Sequence, residues 1–238
     1  MASRGKKYQE ATALVDKSKA YTPEEAVDLA KQTAKANYDE TVEIHMRMGL
    51  DPRHADQQVR GLAMLPNGTG KQVRVLVFAQ GEAATMAEQS GADFVGADDI
   101  IKRIEGGWVE FDTAIATPEM MSKIGKLGRI LGRRGLMPNP RSGTVVQQPD
   151  LPKAISDSRK GKIEYRLDRT AVIHAPLGKA SFEKDHLLEN LATFVDSVVR
   201  AKPSGAKGQY IKKISVSTTH GPGINMDVQS AMTLGVND

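Results

Sequence analysis

The sequence predicts two domains of different class: an α+β sandwich domain formed by both chain ends, and a Rossmann-like α/β domain inserted into it. Three observations carry this. Segments 41–48 and 162–168 alternate apolar and polar residues, as strands with one face in a core and one in water do. Segments 73–79 and 111–116 are nearly all apolar, as strands buried on both faces are, and they alternate with helical stretches. Residues 1–67 and 160–238 share the first texture, and each alone is too short to bury a good core. The expected division is therefore 1–67 plus 160–238 in one domain and 68–159 in the other. Texture alone leaves a single continuous α/β domain open.

Taken in order, residues 6–18 read as a helix with Tyr8, Ala11, Leu14 and Val15 on one side. Thr22-Pro23-Glu24-Glu25 is a capping box with proline at the first helical position. In 41–48, Val42, Ile44, Met46 and Met48 face inward and Thr41, Glu43, His45 and Arg47 outward. Pro66-Asn67-Gly68-Thr69-Gly70 breaks the chain, and 73–79 follows as a buried strand. A short helix from Glu82 ends at Gly91, and Phe94-Val95 is a short strand. Asp98 caps a helix that turns Ile100, Ile101 and Ile104 inward and stops at Gly106-Gly107. After the strand 111–116, Thr117-Pro118 opens another helix.

Beyond Lys160-Gly161 the alternating texture returns, with Ile163, Tyr165 and Leu167 against Lys162, Glu164, Arg166 and Asp168. Residues 171–175 are expected to pair with it as a hairpin. Residues 185–199 form an amphipathic helix carrying Leu187, Leu188, Leu191, Phe194, Val195 and Val198. A strand over 210–219 turns at Gly221-Pro222-Gly223 into 224–228. Gly68, Gly70 and Gly161 stand at the junctions as candidate hinges.

Composition narrows the function classes. Of 238 residues, 39% are hydrophobic and 26% charged, which suits a folded soluble protein; only 5% are aromatic, so the core must be aliphatic. The absence of cysteine excludes a disulfide framework, a thiolate metal site and a cysteine nucleophile. The basic start leads into Tyr8-Gln9-Glu10 rather than an apolar run, so no signal peptide is expected. The apolar run 73–79 is too short to span a bilayer. A net charge of +4 is too small to name a polyanionic partner, so the distribution of charge has to decide.

Two windows decide it. Residues 120–149 contain no acid and six basic residues: Lys123, Lys126, Arg129, Arg133, Arg134 and Arg141. Glycines interspersed with cations, as in the loop expected over 125–143, suit phosphate oxygens. Residues 197–226 are again free of acid, with Arg200, Lys202, Lys207, Lys212 and Lys213. In that strand Lys213, Ser215, Ser217 and Thr219 share one face, fitting the 2′-hydroxyls and phosphates of an RNA minor groove. If the strands 41–48, 162–168 and 210–219 share one sheet, their outer faces make one polar surface. Few aromatics lie on it, which favours folded RNA recognised by shape over stacked single strands.

Enzyme chemistry finds no foothold. Gly125-Lys126 is followed by Leu127 and Gly70-Lys71 by Gln72, so neither is a P-loop. No G-x-G-x-x-G, H-E-x-x-H or G-x-S-x-G occurs, and the five histidines are scattered. Catalytic residues, metal, cofactor and small-molecule substrate are all expected to be none.

At these motifs the chain resembles the ribosomal protein L1 family, the stalk protein beside the tRNA exit site. The segment 125–145 looks like the family signature. Tyr38-Asp39-Glu40-Thr41-Val42-Glu43-Ile44-His45, Ile173-His174-Ala175-Pro176-Leu177-Gly178-Lys179 and Ser217-Thr218-Thr219-His220-Gly221-Pro222 match its other blocks. The resemblance implies two domains, the second inserted into the first. It implies a non-enzymatic, ribosome-bound cytoplasmic protein of the large subunit. The outer domain is expected to hold folded large-subunit ribosomal RNA (rRNA) through Tyr38, Thr41, Glu43, Arg47, Arg166, Ser217, Thr219, His220 and Gly221. The inserted domain is expected to reach exit-site tRNA and further RNA through Lys126, Arg129, Arg133, Arg134 and Arg141. Repression of its own operon mRNA is a further expectation. Arg133 and His220 depart from the family pattern, standing where proline and methionine are usual.

Overall fold

The computed structural model describes residues 5–234. It forms two compact units: residues up to Gly70 together with those from Gly161 onward, and Lys71–Lys160. The outer unit opens with α1 (Lys6–Ala13), α2 (Pro23–Thr33), β1 (Thr41–Met48) and β2 (Arg60–Met64). The second unit runs β3 (Val75–Phe78), α3 (Glu82–Gln89), β4 (Phe94–Gly96), α4 (Asp98–Glu105), β5 (Thr113–Ala116), α5 (Met121–Ile124), α6 (Gly128–Arg133) and α7 (Leu151–Arg159). The outer unit then closes with β6 (Lys162–Arg166), β7 (Val172–Lys179), α8 (Lys184–Arg200), β8 (Ile211–Thr218), β9 (Ile224–Met226) and α9 (Val228–Thr233).

In the outer unit a four-stranded sheet of order β7-β1-β8-β9 is antiparallel throughout. Its inner residues Val42, Ile44, Met46, Ile173, Ile214 and Val216 are fully buried, each stabilising by about 1.5–3 kcal/mol relative to exposure. They join one apolar cluster with Ala26, Val27 and Ala30 of α2 and with Leu191, Phe194 and Val198 of α8. The Thr22 capping box forms as expected: its side chain accepts from the Glu25 amide, and the Glu25 carboxylate accepts from the Thr22 amide. Helix α1 stops at Ala13 instead of reaching 18. The Asp16 side chain takes the Ser18 amide and hydroxyl and makes a turn there.

The hairpin expected between 162–168 and 171–175 forms only at its closing end. Strand β6 pairs with β2, a strand the sequence reading missed, in a separate two-stranded sheet. Leu167 bridges Ile173 and the Asp168 amide donates to the Val172 carbonyl at 2.9 Å, and the ladder goes no further. The cause is the turn between them, where Asp168 accepts from Thr170 and Val172 and Ala171 is forced to a φ of 61°. Strand β7 is left to pair with β1.

The second unit has a parallel sheet of order β4-β3-β5. Every residue of β3 is buried, because helices cover both faces. Leu76 and Phe78 join the isoleucines of α4 and Leu127 and Leu131, whereas Val75 and Val77 join Ala83 and Ala87 of α3 and Leu151 and Ile155 of α7. Asp98 does not cap α4. It is the first helical residue, and Asp99 reaches back to accept from the Ala97 amide. Thr117-Pro118 opens a 3-10 turn, not an α-helix, and the final strand ends at Met226 where Asp227 caps α9.

The glycines at the junction are pinned inside the outer unit. Gly68 and Gly161 have φ of 66° and 101°, and a Cβ on Gly161 would stand 2.5 Å from the Gly68 Cα. The buried Asn190 of α8 accepts from the Asn67 amide at 3.0 Å and donates to the Gly68 carbonyl at 2.9 Å and the Leu177 carbonyl at 2.7 Å.

Candidate nucleic-acid interface

Strand alternation places Thr41, Glu43, His45 and Arg47 of β1 on the outer face, all partly or fully exposed. Register then sets their neighbours. His45 lies between His174 of β7 and Ser215 of β8, Glu43 beside Ser217, and Arg47 beside Lys213. At the far end Thr41 pairs with Lys179, whose ammonium donates to the Thr41 hydroxyl at 3.0 Å. The Thr219 hydroxyl accepts from the Thr41 amide at 3.1 Å, which leaves its proton free to donate outward. Hydroxyls, cations and one carboxylate thus share one surface, suited to the mixed donors and acceptors of an RNA minor groove.

The turn beyond β8 is held by Glu40. Its side chain is 1% exposed and accepts from the Ala36 amide and the His220 amide, both at 2.8 Å. Burial opposes its ionisation, but these backbone donors outweigh it and hold the carboxyl below its ordinary value. His220 then meets the exposed Tyr38 edge to face, with ring centroids 5.9 Å apart. A glycine is required at 221, where a Cβ would lie 2.4 Å from the Thr218 hydroxyl.

The structure therefore brings together Tyr38, Thr41, Glu43, Arg47, Ser217, Thr219, His220 and Gly221. Arg166 is not among them. It sits exposed on β6, which pairs with β2 in a two-stranded sheet and meets β7 at the Leu167–Ile173 bridge, so the three strands do not share one sheet. Glu164 of the same strand pairs with Arg60. Sequence reasoning left out Glu40 and Lys179, although both stand inside quoted motif blocks. A carboxylate directly before an alternating strand is the signal that marked Glu40.

A histidine pair crosses the face. The Nδ1 atoms of His45 and His174 are 2.8 Å apart, so one must carry the proton and the other accept it. His45 Nε2 lies 3.0 Å from the Ser217 hydroxyl, and His174 Nε2 lies 3.7 Å from Asp168. Burial, and then the neighbouring His174, hold the His45 pKa below its ordinary 6.5. The unfolded imidazole takes up a proton as pH falls through about 6.5 and the folded one does not, so the fold loses stability below that pH. The melting temperature is expected to fall between pH 7.5 and 5.5, and His45→Gln to flatten that fall. Identical pH profiles for the two proteins would remove His45 as the cause.

In the second unit the glycine loop expected over 125–143 is helical in its first half and irregular from 134 to 139. The first half is a run of short helical turns: a 3-10 turn over Gly125–Leu127, then α6. Spacing explains it, since Ile124, Leu127 and Leu131 fall on one face and are fully buried. Lys126, Arg129, Arg133, Arg134 and Arg141 are left exposed. Among the described residues none of these five pairs with a carboxylate, whereas Lys123 is held by Asp98 at 2.9 Å. Asn139 accepts from the Arg141 amide, and Val145 bridges to Ala116, which returns the chain to the carboxyl end of β5. Carboxyl ends of parallel strands are where α/β domains place ligands.

No group of three or more metal-ligating side chains occurs among the described residues, and none of their helices is long and apolar enough to cross a membrane. The family model described as "Ribosomal protein L1p/L10e family" matches residues 30–222. Proteins named "Large ribosomal subunit protein uL1" from three strains of Dehalococcoides mccartyi are 57% identical over 235 residues, covering 99% of each chain. A match of that extent takes in both units, the outer strand face and the basic turns. The chain belongs to the ribosomal protein L1p/L10e family, a family of structural rather than enzymatic proteins.

Proposed function

We propose that this chain is a structural component of the large ribosomal subunit that holds folded large-subunit rRNA on the outer face of β7, β1 and β8. The observation that carries this is one wet sheet face on which Thr41 meets Lys179 and Thr219, Glu43 meets Ser217, His45 meets His174 and Ser215, and Arg47 meets Lys213. Serine and threonine hydroxyls there meet 2′-hydroxyls, and Arg47, Lys179 and Lys213 meet phosphates. Glu43 penalises phosphate placed against it, which favours a shaped RNA over any polyanion. The names of the similar proteins support membership of the large subunit. The exposed cations Lys126, Arg129, Arg133, Arg134 and Arg141 of the second unit reach further RNA, including exit-site tRNA. Repression of the protein's own operon mRNA follows if that message copies the shape of the ribosomal site. The working place is the ribosome in the cytoplasm.

The test is binding to an isolated stalk fragment of large-subunit RNA. With about four phosphates neutralised, affinity is expected to fall roughly 100-fold between 50 and 200 mM salt. Random RNA of equal length is expected to bind far more weakly; equal affinity for both would end the reading. Thr219→Ala is expected to weaken fragment binding by about 1–2 kcal/mol, and Arg133→Ala to leave it unchanged. Equal losses from the two variants would refute the division between the units.

A further inference from the structure

A recess of about 710 Å³ opens at the end of the strand face, between the start of α1, the segment after α2 and the turn after β8. Its size lies within the roughly 300–1,000 Å³ of small-ligand sites. Lys6, Lys7 and Tyr8 form one wall, Lys35 another, and Thr219 and His220 the rim shared with the face. No aspartate or glutamate lines it, and among the described residues none of its three lysines pairs with a carboxylate. The walls are tied together, because the Lys7 ammonium donates to the Lys35 carbonyl at 3.1 Å and to the Asn37 side chain at 3.3 Å.

We propose that this recess receives a single unstacked nucleotide of the RNA held on the face, with its base beside Tyr8 and His220 and its phosphate among Lys6, Lys7 and Lys35. The inference rests on the RNA-binding reading of the face and extends it. Thr219 and His220 belong to both surfaces, so a strand leaving the face at that end meets the opening directly. A base removed from its stack needs an aromatic partner and a cation for its phosphate, and the recess supplies both. The recess adds Tyr8 and three lysines to the exposed Tyr38 that stands at this end of the strand face.

The experiment uses the full chain and the stalk fragment, with each unpaired nucleotide replaced in turn by an abasic residue. One abasic position is expected to weaken wild-type binding about tenfold, the scale of one base–aromatic stack. That loss is expected to vanish in Tyr8→Ala, which already lacks the partner. Lys35→Ala is expected to bind intact RNA more weakly and to reduce the salt slope by about one. Circular dichroism melts check that both variants fold. If every abasic fragment binds the wild type like intact RNA, or if the abasic loss persists in Tyr8→Ala, the proposal is overturned. Binding of adenosine monophosphate alone without any abasic effect would assign the recess to free nucleotides and overturn it too. If the wild type does not prefer the intact fragment to random RNA, the face reading itself falls, and the nucleotide site with it.

Discussion

Replacing Asn190 with leucine is expected to destabilise the outer unit by about 4 kcal/mol, although both side chains share one branched skeleton of heavy atoms. Each buried polar group that loses its partner costs about 1–3 kcal/mol, and Asn190 satisfies three. Two are the Asn67 amide and the Gly68 carbonyl, at the point where the chain leaves the outer unit. They are half-buried, and water recovers part of their loss. The third is the carbonyl of Leu177, a fully buried residue. Leu177 is the extra residue where the β1–β7 register shifts between Val42 and Glu43, so the ladder offers it no regular partner. Asn190 is thus what allows the bulge, and the bulge brings Lys179 opposite Thr41. Urea unfolding monitored on the full chain measures the loss. A loss below about 1 kcal/mol would mean that the three groups find other partners and that Asn190 is not the pin.

Much of the outer unit was legible because its pattern is local. Alternation in 41–48 gave the buried and wet faces of β1 residue by residue, and the capping box fixed the start of α2. The second unit was legible for the opposite reason, since a run such as Val75–Phe78 is apolar throughout when helices cover both faces of its sheet. What stayed hidden depends on pairing. Nothing in 162–168 says that it prefers β2 over 171–175, because that choice is made by the Asp168 turn and by Tyr165 reaching the Ser197 carbonyl. Arg166 therefore stands on a strand outside the four-stranded sheet, joined to β7 at the Leu167–Ile173 bridge. In the basic window the glycines point to a loop and mask the spacing of Ile124, Leu127 and Leu131. Tertiary burial of that stripe overrides weak helix propensity. The histidine pair was out of reach in principle: His45 and His174 are 129 residues apart, and only the β1–β7 register brings them together.

Glu40→Ala is expected to cost about 3 kcal/mol of stability and to weaken RNA binding at least tenfold at neutral pH. The variant leaves two backbone amides, Ala36 and His220, without their charged acceptor, and hydrogen bonds to charged groups contribute about 1.5–3 kcal/mol each. The binding loss has a separate origin. Glu40 fixes the amide of His220, so without it the Thr219–Gly221 turn no longer presents its hydroxyl and ring beside Tyr38. Glu40 is in this sense a positioning residue, buried beneath the surface proposed to meet RNA. Its titration gives an independent check. The folded carboxyl is held below its ordinary 4.5, so its contribution is complete above that pH and is lost as pH falls through the lower folded value. Glu40→Gln keeps the shape but cannot titrate, and is expected to flatten the acid limb of the stability profile. A Glu40→Ala protein that is destabilised yet binds the stalk fragment with wild-type affinity would show that the turn finds its geometry from RNA alone.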